Sequence, residues 1–363
     1  MLKTKSAFYL QLCLLLVFAA CANAPARNDS GSNNTGSNTA AGNINSAPSW
    51  VRDPYTKFDR QANVAAVGSG SSRQAADKDA LGKLIAFFGQ SIQVDQKVSS
   101  FYQEAVKNGV TAFWSENTAV DSVITTSAGM DSLIGAEIGE AWGDGRGTIY
   151  AVAVLNKSKA IQVYSNLVKS NQQIIENLVN LSASEKNTFD GFARYQFAAT
   201  IADVTFSYGN LLTQIGAPSF AQGLKKGDEY RLEAQNITKA IPVGIAVKND
   251  KSGRIQSAFA KALSELGFRS GGNNSRYMLV ADVTVSPVDL PNNQNKFARI
   301  ELSANLADTG SGSVLLPYSF NSREGHTSVT EAENRAYTAA EKKINEEYRA
   351  LLSDYLSGLI PKK

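Results

Sequence analysis

The sequence predicts an α+β protein of two similar units, each with a mainly antiparallel sheet and helices packed on it. A glycine-rich segment at 143–147 separates two apolar stretches, as in a β-hairpin. Apolar and polar residues alternate strictly from 298 to 306, as in a strand with one wet face. Other segments carry apolar residues at helical spacing. We therefore expect β-α-β-(α)-β-β-α in the first unit, β-α-β-β-β-α in the second, and a helical hairpin joining them.

The first unit is predicted to begin at Trp50 and to extend to about Asn180. An apolar run at 63–68 indicates a buried strand. Ser71 and Gln74 then form a capping box for a helix. The apolar face of that helix comprises Ala76, Ala80, Leu81, Leu84, Ile85 and Phe88. We expect the remaining elements to be a strand at 91–105, a helix at 116–132, hairpin strands at 135–142 and 148–155, and an amphipathic helix at 157–180.

The second unit follows a helix that Ser182 and Glu185 cap and that extends to about residue 215. Pro242 marks the start or the edge position of the next strand. We expect strands at 241–247, 277–285, 298–306 and 314–320, with a helix at 255–266 after the first of them. Ser328 and Glu331 cap a last helix. Its predicted apolar stripe is Tyr337, Ile344, Tyr348, Leu351, Leu352, Tyr355 and Leu359.

The composition excludes several classes of function. The chain has 363 residues, 36 Lys+Arg against 33 Asp+Glu, one His and two Cys. The resulting net charge of +3 is too small to indicate nucleic-acid binding through a basic surface. Two cysteines and one histidine cannot form a multi-Cys zinc site or most His-based catalytic sites. We expect no metal and no cofactor in the folded body.

The amino terminus has the layout of an export signal. Lys3 and Lys5 precede an apolar run at 8–17, and small residues close it. Ala19-Ala20-Cys21 resembles the lipobox of bacterial lipoproteins. That resemblance implies cleavage between Ala20 and Cys21 and acylation of Cys21 with fatty acids such as palmitate. The alternative is an ordinary signal peptide that is cleaved near Ala24.

The residues after Cys21 are rich in Asn, Gly, Ser and Thr and predict a disordered tether. The resulting layout has five parts: a signal peptide at 1–20, an acylated cysteine and tether at 21–48, an α+β domain at 49–180, a helical connector at 181–225 and a second α+β domain at 226–363.

Several short motifs resemble the Lpp-twenty lipoprotein family over about residues 48–165. They are Pro48-Ser49-Trp50, the Val-Gly-Ser-Gly of 67–70, and a hairpin with Trp142, Gly145 and Tyr150-Ala151-Val152. The resemblance implies a small α+β lipoprotein of the outer membrane or the cell surface, and it supplies no catalytic residues. This part also resembles the amino-terminal domain of a flagellar H-ring protein. The second unit resembles partner-binding α+β modules of the TolB amino-terminal and curli-secretion type.

Four sequence features are candidates for a site. The turn from Gly68 to Arg73 could bind an anion at a helix start, or it could be only a tight turn. Glu137, Glu140 and Asp144 could hold a hard cation, although Glu137 and Glu140 point to opposite faces of a regular strand. His326 is expected in a surface loop. The apolar face of 157–180 could meet a partner or its own core, and it comprises Ile161, Tyr164, Leu167, Val168, Ile174, Ile175 and Leu178.

These features favour a non-enzymatic, lipid-anchored outer-membrane lipoprotein that binds or scaffolds envelope proteins. One alternative is an accessory subunit of a flagellar or secretion assembly. Another is cell-wall glycan binding or hydrolysis, and hydrolysis would need two carboxylates in one cleft. The expected partners are the membrane, through the lipid anchor, and envelope proteins. Nucleic acid is not expected as a partner, and an oligomer is compatible with the sequence.

Overall fold

The computed structural model describes residues 47–89 and 133–359. The predicted signal peptide, Cys21 with nearly all of the tether, the strand at 91–105 and the helix at 116–132 lie outside the described residues. The described residues group into one compact unit. The predicted α+β class is confirmed, with two sheets and helices packed on them.

The first sheet has three antiparallel strands in the order β1-β3-β2. Helices pack on one face of it, and a short helix with a 3-10 turn lies against the other face. The elements of this part are α1 (Ser49–Arg52), the 3-10 turn (Pro54–Thr56), β1 (Asn63–Gly70), α2 (Arg73–Phe87), β2 (Ala136–Gly143), β3 (Ile149–Asn156) and α3 (Lys157–Val179).

Three further helices follow α3 before the second sheet begins. The first of them is only one turn long, so the predicted single helix from Ser182 to about 215 is divided in two. The elements are α4 (Ala183–Lys186), α5 (Phe189–Gln214), a 3-10 turn (Pro218–Ala221) and α6 (Gly227–Ala240). Helices α3 and α5 pack together as the predicted hairpin.

The second sheet has five strands in the order β5-β4-β6-β7-β8. β4 is parallel to its neighbours β5 and β6, whereas β6, β7 and β8 are antiparallel. Pro242 lies directly before the first residue of β4. The elements are β4 (Val243–Lys248), α7 (Arg254–Glu265), β5 (Ser270–Gly271), β6 (Tyr277–Val288), β7 (Lys296–Asp308), β8 (Ser313–His326), α8 (Val329–Lys343), a π-helical turn (Ile344–Tyr348) and α9 (Arg349–Gly358).

Two hydrophobic cores lie under the two sheets, and α5 contributes to both. Phe197 and Ile201 of α5 belong to the first core, whereas Phe189 and Tyr195 belong to the second. The phenyl ring of Phe189 stacks on Tyr277 of β6 with 3.8 Å between the ring centroids. The segment predicted as a connector therefore supplies core residues. The domain borders stay a prediction.

The predicted cap of the first long helix is wrong by one residue. Ser72, not Ser71, is the N-cap of α2, and its hydroxyl accepts a hydrogen bond from the Ala75 amide at 3.2 Å. Strand β1 continues to Gly70, so α2 begins one residue later than the predicted cap implies. The capping box of Ser182 and Glu185 and the cap by Ser328 are confirmed.

The predicted stripe of the last helix is partly wrong. Leu351 is 42% exposed, and Tyr337 lies against Arg254 outside the fully buried core. The π-helical turn changes the rotation of side chains about the helix axis, so a stripe drawn for a continuous α-helix loses register beyond it. The buried face is spaced by four residues: Ala332, Ala336, Ala340, Ile344, Tyr348, Leu352 and Leu356.

Gly145 lies in the predicted hairpin turn and has φ of +71°. We expect Gly145→Val to lower the free energy of unfolding by about 1–3 kcal/mol, because a β-branched residue is strained at positive φ. Urea unfolding followed by circular dichroism measures this change. Gly143→Val is the matched control, since no atom lies within 4 Å of its added Cβ. Equal stability of both variants would contradict the assignment of strain to Gly145.

Candidate interaction surface

The turn after β1 is held by contacts within the fold. The Ser69 amide donates a hydrogen bond to the Asp79 carboxylate of α2 at 2.8 Å. Lys83 and this amide hold the pKa of Asp79 below its ordinary value. Gly68 brings β1 close to α2, since a Cβ there would lie 2.0 Å from the Ala80 nitrogen. The structure thus supports the tight-turn interpretation of this motif.

The acidic residues of β2 have partners within the fold. A β-bulge at Gly139 places Glu137 and Glu140 opposite Val154 and Val152, hence on one face, which corrects the expected opposite directions. Glu140 pairs with Lys57.

Asp144 belongs to the hairpin turn. Its carboxylate accepts hydrogen bonds from the Arg146 and Thr148 amides at 2.7 and 3.0 Å, and these bonds lower its pKa. Within residues 47–89 and 133–359, no three His, Cys, Asp or Glu side chains are grouped as metal ligands would be.

The other two sequence candidates also have structural roles. The predicted apolar face of 157–180 packs in the first core, and of its members only Ile161 is not fully buried. His326 is the last residue of β8 and is half-buried rather than in a loop. Its Nδ1 accepts a hydrogen bond from the Ser328 amide at 3.4 Å, next to the start of α8.

Two of the clefts formed by the described residues are open to solvent and concave enough to be considered as sites. The first, of about 400 Å³, lies between α5, α7 and α9, and its one carboxylate, Glu265, pairs with Arg349 at 3.3 Å. The second, of about 500 Å³, lies at the start of β4 and β6 and includes Arg276. Arg276 donates to Asp308 at 2.9 Å and holds the pKa of Asp308 below its ordinary value. Neither of these two clefts has the pair of carboxylates that glycan hydrolysis needs.

One regular surface of the described residues is the outer face of the five-stranded sheet, which we call the open face. In the described part of the chain, the helices and the second core pack on the opposite face of this sheet. The open face consists of exposed and mostly polar side chains: Val280, Asp282 and Thr284 of β6, Arg299, Glu301, Ser303 and Asn305 of β7, and Ser319, Asn321 and Arg323 of β8.

Charges on the open face are balanced and partly paired. The Asn249 amide donates to Asp282 at 2.8 Å. The Arg299 Nη1 and Glu301 Oε1 atoms lie 4.0 Å apart. The Arg323 guanidinium carbon lies 5.8 Å from the centroid of the Phe297 ring. Such a surface suits polar contacts with another macromolecule more than burial in an apolar core.

The open face ends at β8, which is an edge strand in the described part of the sheet. The sequence pattern predicts this strand only to Phe320, and the residues that follow it are polar on both faces. The signal for an edge was present in Pro317, since proline within a strand is confined to edge positions and bulges.

The comparisons with known proteins bear on the first part of the chain. Residues 48–156 match the family model of the LPP20 lipoprotein. The Lpp-twenty resemblance is thus confirmed for a stretch that runs from the start of the folded body through β3. This stretch is less than half of the chain, and it leaves the second sheet outside the match. No curated protein sequence matches the chain.

Solved structures give weaker similarities. The minor lipoprotein of Acinetobacter baumannii is 12% identical with a TM-score of 0.25, and the alignment covers 34% of this chain and 98% of that one. Lipoprotein GNA1162 of Neisseria meningitidis is 15% identical with a TM-score of 0.21, and the alignment covers 28% of this chain and 98% of that one. A secreted protein of Helicobacter pylori is 11% identical with a TM-score of 0.38, and the alignment covers 78% and 98% of the two chains.

The LPP20 match supports a lipoprotein of the bacterial envelope. The matched family's description names no enzymatic activity. In the described part of the chain, no helix combines the length and the apolar composition needed to cross a bilayer.

Proposed function

We propose that this protein is a non-enzymatic lipoprotein, anchored in the bacterial outer membrane through acylated Cys21, whose folded body binds envelope proteins. The observation that carries the proposal is the LPP20 match, which begins at residue 48, directly after a lipobox-like amino terminus and a polar tether. Two or three acyl chains give stable anchoring, whereas one chain binds only marginally.

The edge of β8 is the best-supported binding element of the body. An exposed edge strand can pair with a strand of another chain through main-chain hydrogen bonds. The polar open face beside it offers side chains for specificity. Neither of the two clefts described above contains a pair of carboxylates, which favours binding over hydrolysis.

Cys21→Ser is expected to release the protein from the membrane, because the thiol is the acyl acceptor. Partition of the expressed protein between detergent and aqueous phases measures this change, and the variant should lose nearly all of its detergent-phase fraction. Cys13→Ser, inside the predicted signal, is the matched control and should partition like the unmodified chain. Equal membrane retention of the Cys21→Ser variant would contradict lipid anchoring.

A photo-reactive residue at position 321 tests binding at β8 in intact cells. We expect adducts at this position, identified by mass spectrometry as an envelope protein or as a second copy of the chain. The same residue placed at Gln235, exposed on α6, is the control and should give no matching adduct. Absence of any adduct at 321 would contradict binding through this edge.

A further inference from the structure

In the described part of the chain, the outward edge of β8 is unpaired between Pro317 and Gly325, which we call the two stops. At one end, Pro317 has no N–H to donate. At the other end, Arg335 of α8 donates from its Nη1 to the Gly325 carbonyl at 3.1 Å. Successive residues of a strand direct their backbone groups to opposite edges, so Pro317 and Gly325 share an edge with the residues at 319, 321 and 323.

These three residues have unused backbone groups. β7 pairs with β8 on the inner edge. Outside that ladder, no backbone hydrogen bond among residues 47–89 and 133–359 involves Ser319, Asn321 or Arg323. All three side chains are exposed on the open face. The edge therefore presents three N–H groups and three C=O groups to a pairing strand.

The two stops are related by symmetry about Asn321. Each lies four positions from Asn321, so an antiparallel pair of β8 strands centred there places Pro317 opposite Gly325 of the second copy. The donor that Pro317 lacks then faces the carbonyl that Arg335 already occupies. The Gly325 N–H, in turn, faces the free Pro317 carbonyl. Self-pairing thus satisfies every outward group from 317 to 325.

The side chains also suit a pair of identical strands. Asn321 lies opposite Asn321 of the second copy, where two amides can exchange hydrogen bonds. Ser319 lies opposite Arg323, so no like charges meet directly. Helix α8 packs over both β7 and β8. A helix centred between β7 and β8 is about half a strand spacing inside the edge, so the pairing would place the two α8 helices roughly 10 Å apart, a normal packing distance.

We propose that β8 pairs antiparallel with β8 of a second copy, centred on Asn321, so that the two five-stranded sheets become one continuous sheet. This inference rests on the proposed function, because it names the protein that occupies the β8 edge. A different envelope protein at this edge is the competing outcome of the tests.

A cysteine at the centre of the pair gives a direct test. Facing residues of a hydrogen-bonded antiparallel pair have Cα atoms about 5.5 Å apart, which is within disulfide range. Asn321→Cys in the full-length membrane protein should form a disulfide-linked dimer in mild oxidant, and the unmodified chain should not. Ser303→Cys is the control, since three strand spacings separate its two copies by about 14 Å or more.

A charge at the same position gives an independent readout. Asn321→Lys places like charges opposite each other and should raise the dissociation constant of the dimer about fivefold. Analytical ultracentrifugation of detergent-solubilised protein measures this constant. Ser303→Lys should leave the dimer unchanged. A monomeric unmodified chain, or equal cross-linking of the 303 and 321 cysteine variants, would overturn the proposal. Photo-adducts of position 321 with another envelope protein would then still support the proposed function.

Discussion

Gly68→Ala is expected to lower the free energy of unfolding by about 3 kcal/mol, at the upper end of the usual cost of overpacking. The added Cβ would lie 2.0 Å from the Ala80 nitrogen and 2.6 Å from the Ala76 carbonyl oxygen. Both obstacles are backbone atoms of α2, so no side chain can rotate away. Relief requires α2 to move away from β1, which separates Ala76, Ala80 and Leu84 from the first core.

Chemical denaturation monitored by far-UV circular dichroism measures this effect. Gly82→Ala, in the helix α2 that faces Gly68, is the control, because nothing lies within 4 Å of its added Cβ. That variant should be neutral or more stable by up to about 1 kcal/mol, since alanine is the better helix former. If Gly68→Ala unfolds at the same denaturant concentration as the unmodified chain, the close contact of β1 and α2 is wrong.

Tyr348→Ala is expected to cost about 3–5 kcal/mol, because it leaves a large cavity in the second core. Tyr348 is fully buried in the π-helical turn. Its ring packs edge-on against Phe259 at 5.0 Å and against Tyr318 at 5.5 Å between ring centroids. The substitution therefore removes the centre of an aromatic cluster that joins α7, β8 and the last helix.

Two companion variants make the test specific. Leu351→Ala, three residues away and exposed, should change stability by less than about 0.5 kcal/mol, as surface substitutions usually do. Tyr348→Phe should be neutral or stabilising, because the buried Tyr348 hydroxyl has no hydrogen-bond partner among the described residues. The same unfolding experiment measures both. A larger loss of unfolding free energy for Leu351→Ala than for Tyr348→Ala would contradict the buried face that the structure assigns to this helix.

Regular periodicity explains which parts of the fold the sequence could predict. The alternation from 298 to 306 predicted both the strand β7 and its buried face, and Gly145 predicted the hairpin turn. Local departures from ideal geometry were not predictable. The bulge at Gly139 and the π-helical turn at Ile344–Tyr348 each change which side chains share a face. A glycine within a strand is compatible with a bulge but does not require one, and the π-helical turn has no distinctive residue pattern.

The candidate surface was only partly predictable for a related reason. The polar residues from 321 to 326 have no apolar face that would mark them as a strand, and pairing with β7 decides their structure. Pro317 indicated an edge, but the capping of Gly325 by Arg335 is a tertiary contact between β8 and α8. The proposed lipid anchor, by contrast, is inferred from a linear motif at Cys21, which can be recognised without knowledge of the fold.

The central claim is that a lipid at Cys21 anchors this body to the membrane. Intact-mass spectrometry of the protein purified from membranes tests it most directly. The account predicts a mature chain that begins at Cys21 and carries a diacylglycerol on its thiol and an acyl chain on its amine. A mature chain that begins near Ala24, without any lipid mass, would contradict it.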